Sequence, residues 1–179
     1  PVYKLADIPD DPDYFIQQHL PQIMAAEAWD IHKGEDGDEV VVAIVDTGAD
    51  WLHPDLTDNC WQNLGEDADG DGVTLEFNNG VWERDPDDLN NIDDDGNGYV
   101  DDVIGWDFHE AITIDDGSNP DPIWGQGPYE HGSHCAGIAA GVTNNDIGIS
   151  SVSWNVKYMP VQTDDGNNTV LYGIDGIIY

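Results

Sequence analysis

The sequence predicts an α/β fold: a doubly wound, mostly parallel sheet with helices on both faces. Three observations predict it. Val40-Val41-Val42-Ala43-Ile44-Val45 is an unbroken apolar run, mostly β-branched, bounded by Glu39 and the Gly48 turn. A strand buried on both faces of a parallel sheet has this pattern, without the alternation of a half-solvated strand. Val156-Lys157-Tyr158-Met159-Pro160-Val161 reads as the next parallel strand. A helical segment stands before it, from about His131, and another follows over Thr169–Tyr179, with Val170, Ile174, Ile177 and Ile178 on its apolar side. Strand, helix, strand, helix is the order of layered α/β domains.

Taken along the chain, residues 1–20 read as an extended N-terminal arm, because Pro9-Asp10-Asp11-Pro12-Asp13 is a cluster of structure breakers. Ile23–Trp29 has good helix formers and an apolar face, and predicts a short helix. Gly34–Asp38 is a charged turn into the first strand. Asp46-Thr47-Gly48 ends that strand, and ligands of open α/β sheets bind outside the carboxyl ends of their strands. A carboxylate there can orient an imidazole, fix its tautomer and stabilise the imidazolium. His53, beside Pro54 in a loop, reads as structural.

Glu130-His131-Gly132-Ser133-His134-Cys135-Ala136-Gly137 follows a breaker at Gly125-Gln126-Gly127-Pro128 and opens the helix. Gly132, Ser133, Ala136 and Gly137 carry little bulk, so this helix can press closely on a neighbour. His131, at its N-terminus, is placed to carry a proton; the plainer alternative is a cap or a core filler.

Between Asp46 and His131, which lie 85 residues apart, an acidic insertion at about 60–110 holds two related loops. Asp67, Asp69 and Asp71 precede Gly72; Asp93, Asp95 and Asn97 precede Gly98, with Tyr99, Asp101 and Asp102 close behind. Both fit D-x-D-x-[DN]-G, the opening of an EF-hand loop, in which alternate oxygens turn towards the ion. Position twelve is Asn78 in one and Ile104 in the other, so the bidentate Glu is lacking. Oxygen donors without Cys or His point to Ca²⁺ rather than zinc. The alternative is a pair of solvated acidic loops.

A chain of 179 residues suits one domain. Its 38 Asp and Glu against 4 Lys and Arg give a formal charge of −34. That disfavours nucleic acid and anionic membranes as partners and favours divalent cations and salt tolerance. With 39% hydrophobic residues, seven Trp and seven Tyr, the chain is too rich in core material for a disordered acidic tail. Two Cys make no disulfide framework and leave the pairing of Cys60 and Cys135 open. No apolar run is long enough for a membrane span, and no signal-peptide pattern stands at Pro1, so a processed or chosen start is expected.

The Val42-Ala43-Ile44-Val45-Asp46-Thr47-Gly48 and His131-Gly132-Ser133-His134-Cys135-Ala136-Gly137 stretches, in this order, resemble the subtilisin-like serine proteases. The resemblance implies that residues 21–179 are the N-terminal part of a peptidase domain, that Asp46 orients His131, and that His131 is general base and then general acid. His134 is then a supporting residue, Ser133 replaces a commoner Thr, and both cysteines stay free. It further implies a third calcium site from Asp55, the Asn145 side chain and the carbonyls of Ile147 and Ile149.

The function implied is a secreted, calcium-stabilised serine endopeptidase acting on polypeptides. The family's Gly-Thr-Ser-Met-Ala-like nucleophile motif and oxyanion Asn do not occur in these 179 residues; Ser118, Ser133, Ser150, Ser151 and Ser153 lack that context. The remaining C-terminal half of the same domain is therefore the expected partner, and this chain alone is not expected to be active. An inactive calcium-binding pseudoprotease or adhesive module is the alternative. A metallohydrolase fits poorly, because His131 and His134 lack the Glu of H-E-x-x-H.

Overall fold

A computed structural model of the chain describes residues 7–34, 40–108, 130–163 and 173–179, apart from the side chain of Ile174. The Gly34–Asp38 turn beyond Gly34, the Gly125–Pro128 breaker, Ser118 and Val170 lie outside the described residues.

In chain order the elements are α1 (His19–Gln22), α2 (Ala25–Trp29), β1 (Val41–Asp46), β2 (Leu75–Asn78), β3 (Val81–Arg84), β4 (Trp106–Asp107), α3 (His131–Ala140), β5 (Lys157–Gln162) and α4 (Gly173–Ile178). β1, β5 and β4 form a parallel sheet in the order β1-β5-β4, while β2 and β3 form a separate antiparallel hairpin. The register pairs Val42 with Tyr158, Ile44 with Pro160 and Asp46 with Gln162, which brings Asp46 to the carboxyl edge.

The pleat then decides which face each residue serves. Val42 and Ile44 point to the core made with Trp51, Leu56, Tyr158, Ala136 and Ala140, so α3 covers that face. α4 lies on the other: a methyl added at Gly176 would meet Val45, Val161 and Thr163 at 2.7–3.1 Å. The fold is α/β, mostly parallel, with helices on both faces.

Two expectations about burial are corrected. β1 is not buried on both faces: Val41 and Ala43 are exposed, because α4 covers only the Val45 end of their face and they line a cleft of about 610 Å³ with Met159 and Ile178. Nor do Ile177 and Ile178 form a buried stripe; they are 77% and 76% exposed, since α4 meets the sheet through Gly176.

Nor are the described residues of the expected arm extended. Asp13 precedes a 3₁₀ turn at Tyr14–Ile16, and α1 follows. Asp11 accepts the N–H groups of Asn144 and Asn145 and the Ser150 hydroxyl, and Gln17 makes two 2.8 Å bonds to the Ser150 backbone. Leu20, Ala25, Trp29 and Trp154 form a second small core beside them. The helix expected from Ile23 begins only at Ala25, because Met24 takes a left-handed φ of 57°.

Candidate active site

The chain just beyond β1 comes very close to the start of α3. Gly132 lies so near Gly48 that a Cβ on Gly132 would stand 2.0 Å from the Gly48 carbonyl oxygen. The Gly132 N–H donates to Thr47 Oγ1 at 3.0 Å, and the Asp50 N–H donates to Ser133 Oγ at 2.8 Å. Small residues and two side-chain oxygens thus clamp the start of α3 against the end of β1.

On that support Asp46 and His131 meet. His131 Nδ1 is 2.7 Å from Asp46 Oδ2 and 2.9 Å from Oδ1. The Thr47 N–H donates to Asp46 Oδ1 at 2.8 Å and fixes the carboxylate. The Asp46 side chain is only 20% exposed, whereas that of His131 is 67% exposed. With Nδ1–H given to the carboxylate, Nε2 is the ring atom left to exchange a proton with solvent or a substrate group.

Cys135 Sγ lies 3.7 Å from His131 Nδ1, and Asp46, His131 and Cys135 each offer a metal-ligating atom within 4.8 Å of the others. Burial, and then the Asp46 charge, push the Cys135 thiol up. Neither Cys60 nor Cys135 is in a disulfide. His134 turns elsewhere, into a cavity of about 470 Å³ shared with His53 and Asp55.

The second acidic loop divides its expected ligands. Asp95 and Asp102 come together, joined by Glu66, with ligand atoms all within 4.8 Å. Asn97 Nδ2 donates to both Asp95 and Asp102 at 3.0 Å. Asp93 instead closes its own loop, accepting the N–H groups of Gly96, Asn97 and Gly98. Asp101 faces the other way and accepts the N–H groups of Asn90 and Asn91. The Tyr99 ring stacks edge-on against Trp106 and Tyr179, and the Tyr179 hydroxyl donates to Asp102.

Glu66 is one residue that sequence reasoning missed. It is wholly buried and accepts the N–H groups of Asp94, Asp95 and Asp101 at 3.0–3.1 Å. Burial, aided by the charges of Asp102 and Asp95, pushes its carboxyl up to about 7. Burial likewise pushes Asp102 up to about 6, with Asp95 adding to it and Tyr179, Asn97 and Asn63 opposing. Crowded carboxylates of this kind suit a hard divalent cation, which would remove the repulsion that raises them.

In the first loop Asp67, Asp69 and Asp71 place ligand atoms within 4.8 Å of one another. Asp85, Asp88 and Glu76 join overlapping groups that the loop motif did not contain. In the third expected site Asp55 and Asn145 do meet, through Asn145 Nδ2 and Asp55 Oδ1 at 3.0 Å. Ile149 and Ile147 enter through their N–H groups, which donate to Asp55 Oδ2 and Asn145 Oδ1. Burial raises the Asp55 carboxyl against these two supports from Ile149 and Asn145.

Comparison with known proteins matches residues 37–179 to the family model described as Peptidase_S8, the subtilase family. The chain is 32% identical over 174 residues to thermitase of Thermoactinomyces vulgaris, covering 96% of this chain and 43% of that protein. It is 30% identical over 181 residues to a thermophilic serine proteinase of Bacillus sp. (strain AK1), covering 99% and 32%. It is 32% identical over 152 residues to the halolysin-like extracellular serine protease Nep of Natrialba magadii, covering 84% and 19%. Among solved structures, a protease from Pseudoalteromonas arctica PAMC 21717 superposes with a TM-score of 0.53 at 28% identity, over 97% of this chain and 44% of that one. The chain therefore spans less than half the length of these relatives.

Proposed function

Because the chain belongs to the subtilase family of serine peptidases, we propose that it supplies the Asp–His pair of a serine endopeptidase, with Asp46 and His131 in those roles. The observation that carries this is the 2.7 Å contact of His131 Nδ1 with Asp46 Oδ2 on a clamped, partly buried support.

In this reading a serine hydroxyl, contributed by the rest of the domain, attacks a peptide carbonyl. His131 Nε2 takes the hydroxyl proton, and Asp46 holds Nδ1–H and stabilises the imidazolium. The same Nε2–H protonates the leaving amine, and the acyl-enzyme is then hydrolysed by water with His131 again as base. The geometry favours this over a metal centre, since the Asp46 carboxylate is already engaged by His131 Nδ1.

Calcium stabilisation belongs to the same proposal. Glu66, Asp95 and Asp102 fit an oxygen-only site, with Asp67, Asp69 and Asp71 as a second group and Asp55 with Asn145 as a third. A bound ion there supplies charge neutralisation that fixes the loops; the chain's own amides already pre-shape them around Asp93 and Asp67. Extracellular action is supported by the names of relatives, including the extracellular basic protease of Dichelobacter nodosus. No described helix is long and apolar enough to cross a membrane.

The test uses the full-length protein on a peptide amide substrate, with and without an organofluorophosphate. Hydrolysis abolished by stoichiometric labelling of one serine is expected. Intact folding with neither hydrolysis nor labelling would assign the chain to a pseudoprotease instead.

A further inference from the structure

The tip of the β2–β3 hairpin holds an apolar groove that the described chain leaves open. Cross-strand pairing sets Phe77 opposite Trp82, and the Asn79-Gly80 turn, with φ of 52° and 89°, joins the strands. The two rings lie 5.3 Å apart and are tilted by 56°. Trp82 packs on the main core and so steadies the hairpin, whereas Phe77 and Val81 are each 60% exposed. Leu52, Pro54 and Asp58, from the stretch that follows β1, complete a cleft of about 420 Å³. Aromatic and aliphatic side chains grouped around an open cleft mark a binding surface more often than a bare one.

Charge decides what this cleft suits. None of its lining side chains is cationic, and Asp58 stands exposed among them. The described cations have other partners: Lys33 pairs with Asp7, the Arg84 charge acts on Asp101, and Lys157 donates to the main-chain carbonyl of Asp58. With a formal charge of −34, the chain repels an acidic partner and draws a basic one. Arginine suits the groove better than lysine. Its planar guanidinium stacks on aromatic faces and pairs with a carboxylate, while its apolar stem covers aliphatic surface such as Leu52 and Val81. Leu52 follows Asp46 by six residues, so the two lie at most about 22 Å apart, the reach of about seven extended residues.

We propose that the β2–β3 hairpin and the stretch after β1 form a second polypeptide-binding groove, apart from the Asp46–His131 pair, which takes an arginine of a protein substrate. The guanidinium stacks on Phe77 and Trp82 and pairs with Asp58. This rests on the reading of the protein as an endopeptidase, whose substrate it narrows to polypeptides carrying an arginine within reach of the scissile bond.

The test is calorimetric titration of the full-length protein, as His131→Ala so that peptide is not consumed, with two peptides of about twenty residues at physiological salt. They differ only in a central arginine or lysine, so their net charge is equal. The arginine peptide is expected to bind about two- to fivefold tighter, the worth of one exposed cation–π contact. Adding Phe77→Ser or Asp58→Asn, both at exposed positions, is expected to remove that preference. Equal affinity for the two peptides, a preference that survives both substitutions, or no binding at all overturns the groove. Hydrolysis of a short arginine-free peptide amide by wild type is read separately. Its absence beside an intact arginine preference would overturn the endopeptidase reading and leave a binding groove, whereas hydrolysis without the preference would overturn the groove alone.

Discussion

A Cβ on Gly132 would stand 2.0 Å from the carbonyl oxygen of Gly48, and this contact fixes how α3 meets the end of β1. The Asp46–His131 pair sits directly on it: Gly48 follows Asp46 by two residues and Gly132 follows His131 by one. A backbone contact this close leaves no room for any side chain.

Gly132→Ala is therefore expected to displace α3 and to weaken the Asp46–His131 contact. Overpacking of this kind typically costs about 1–3 kcal/mol. Urea denaturation measures the loss, and turnover of the full-length protein should fall with it. Wild-type stability and activity in Gly132→Ala would refute the clamp.

The anchoring of the N-terminal segment predicts a second loss. Asp11 is buried and serves two backbone amides and the Ser150 hydroxyl. Removing an acceptor from buried donors costs about 1–3 kcal/mol, more for a charged group. Asp11→Ala should lower the denaturation midpoint accordingly, whereas a freely solvated arm would leave it unchanged.

Glu66 sets a dependence on pH. Its carboxyl rises from 4.5 to about 7 in the folded chain, so the folded state holds its proton longer than the unfolded state. Its contribution to stability in chelator is then fully present below about pH 4.5 and is lost as pH rises through about 7. Asp102, raised from 3.8 to about 6, acts in the same direction over the lower part of that window. Bound calcium needs both carboxylates ionised, so its stabilising effect grows over the same range. Melting curves from pH 4 to 8, with and without calcium, should diverge as pH rises. In Glu66→Gln the chelator curve should flatten.

The Cys135 thiol, raised by burial and by Asp46, predicts slow alkylation. Iodoacetamide should modify it at neutral pH more slowly than a solvated thiol, with the rate still climbing in mildly alkaline solution. Rapid labelling at neutral pH would contradict the assignment.

What could be read from the sequence was local. Asp46 and His131 each sit in a short motif at the end of one element, and parallel pairing of β1 with β5 brings those ends to one edge. The β2–β3 hairpin was legible but overlooked: Asn79-Gly80, with φ of 52° and 89°, is a strong two-residue turn signal. Glu66 and Asp88 were not legible, because nothing in their spacing marks them; only the fold carries them to Asp95 and Asp69. The burial of β1 and α4 was misjudged for a similar reason. An apolar run says that a strand can be buried, not which of its faces is covered in this chain.

The most direct measurement is the turnover number of the full-length protein on a peptide amide substrate, comparing wild type with His131→Ala at equal melting temperature. Loss of the general base should lower it by about 10⁴- to 10⁶-fold. A variant that folds normally and turns over within about tenfold of wild type would contradict the assignment of Asp46 and His131 to the chemistry.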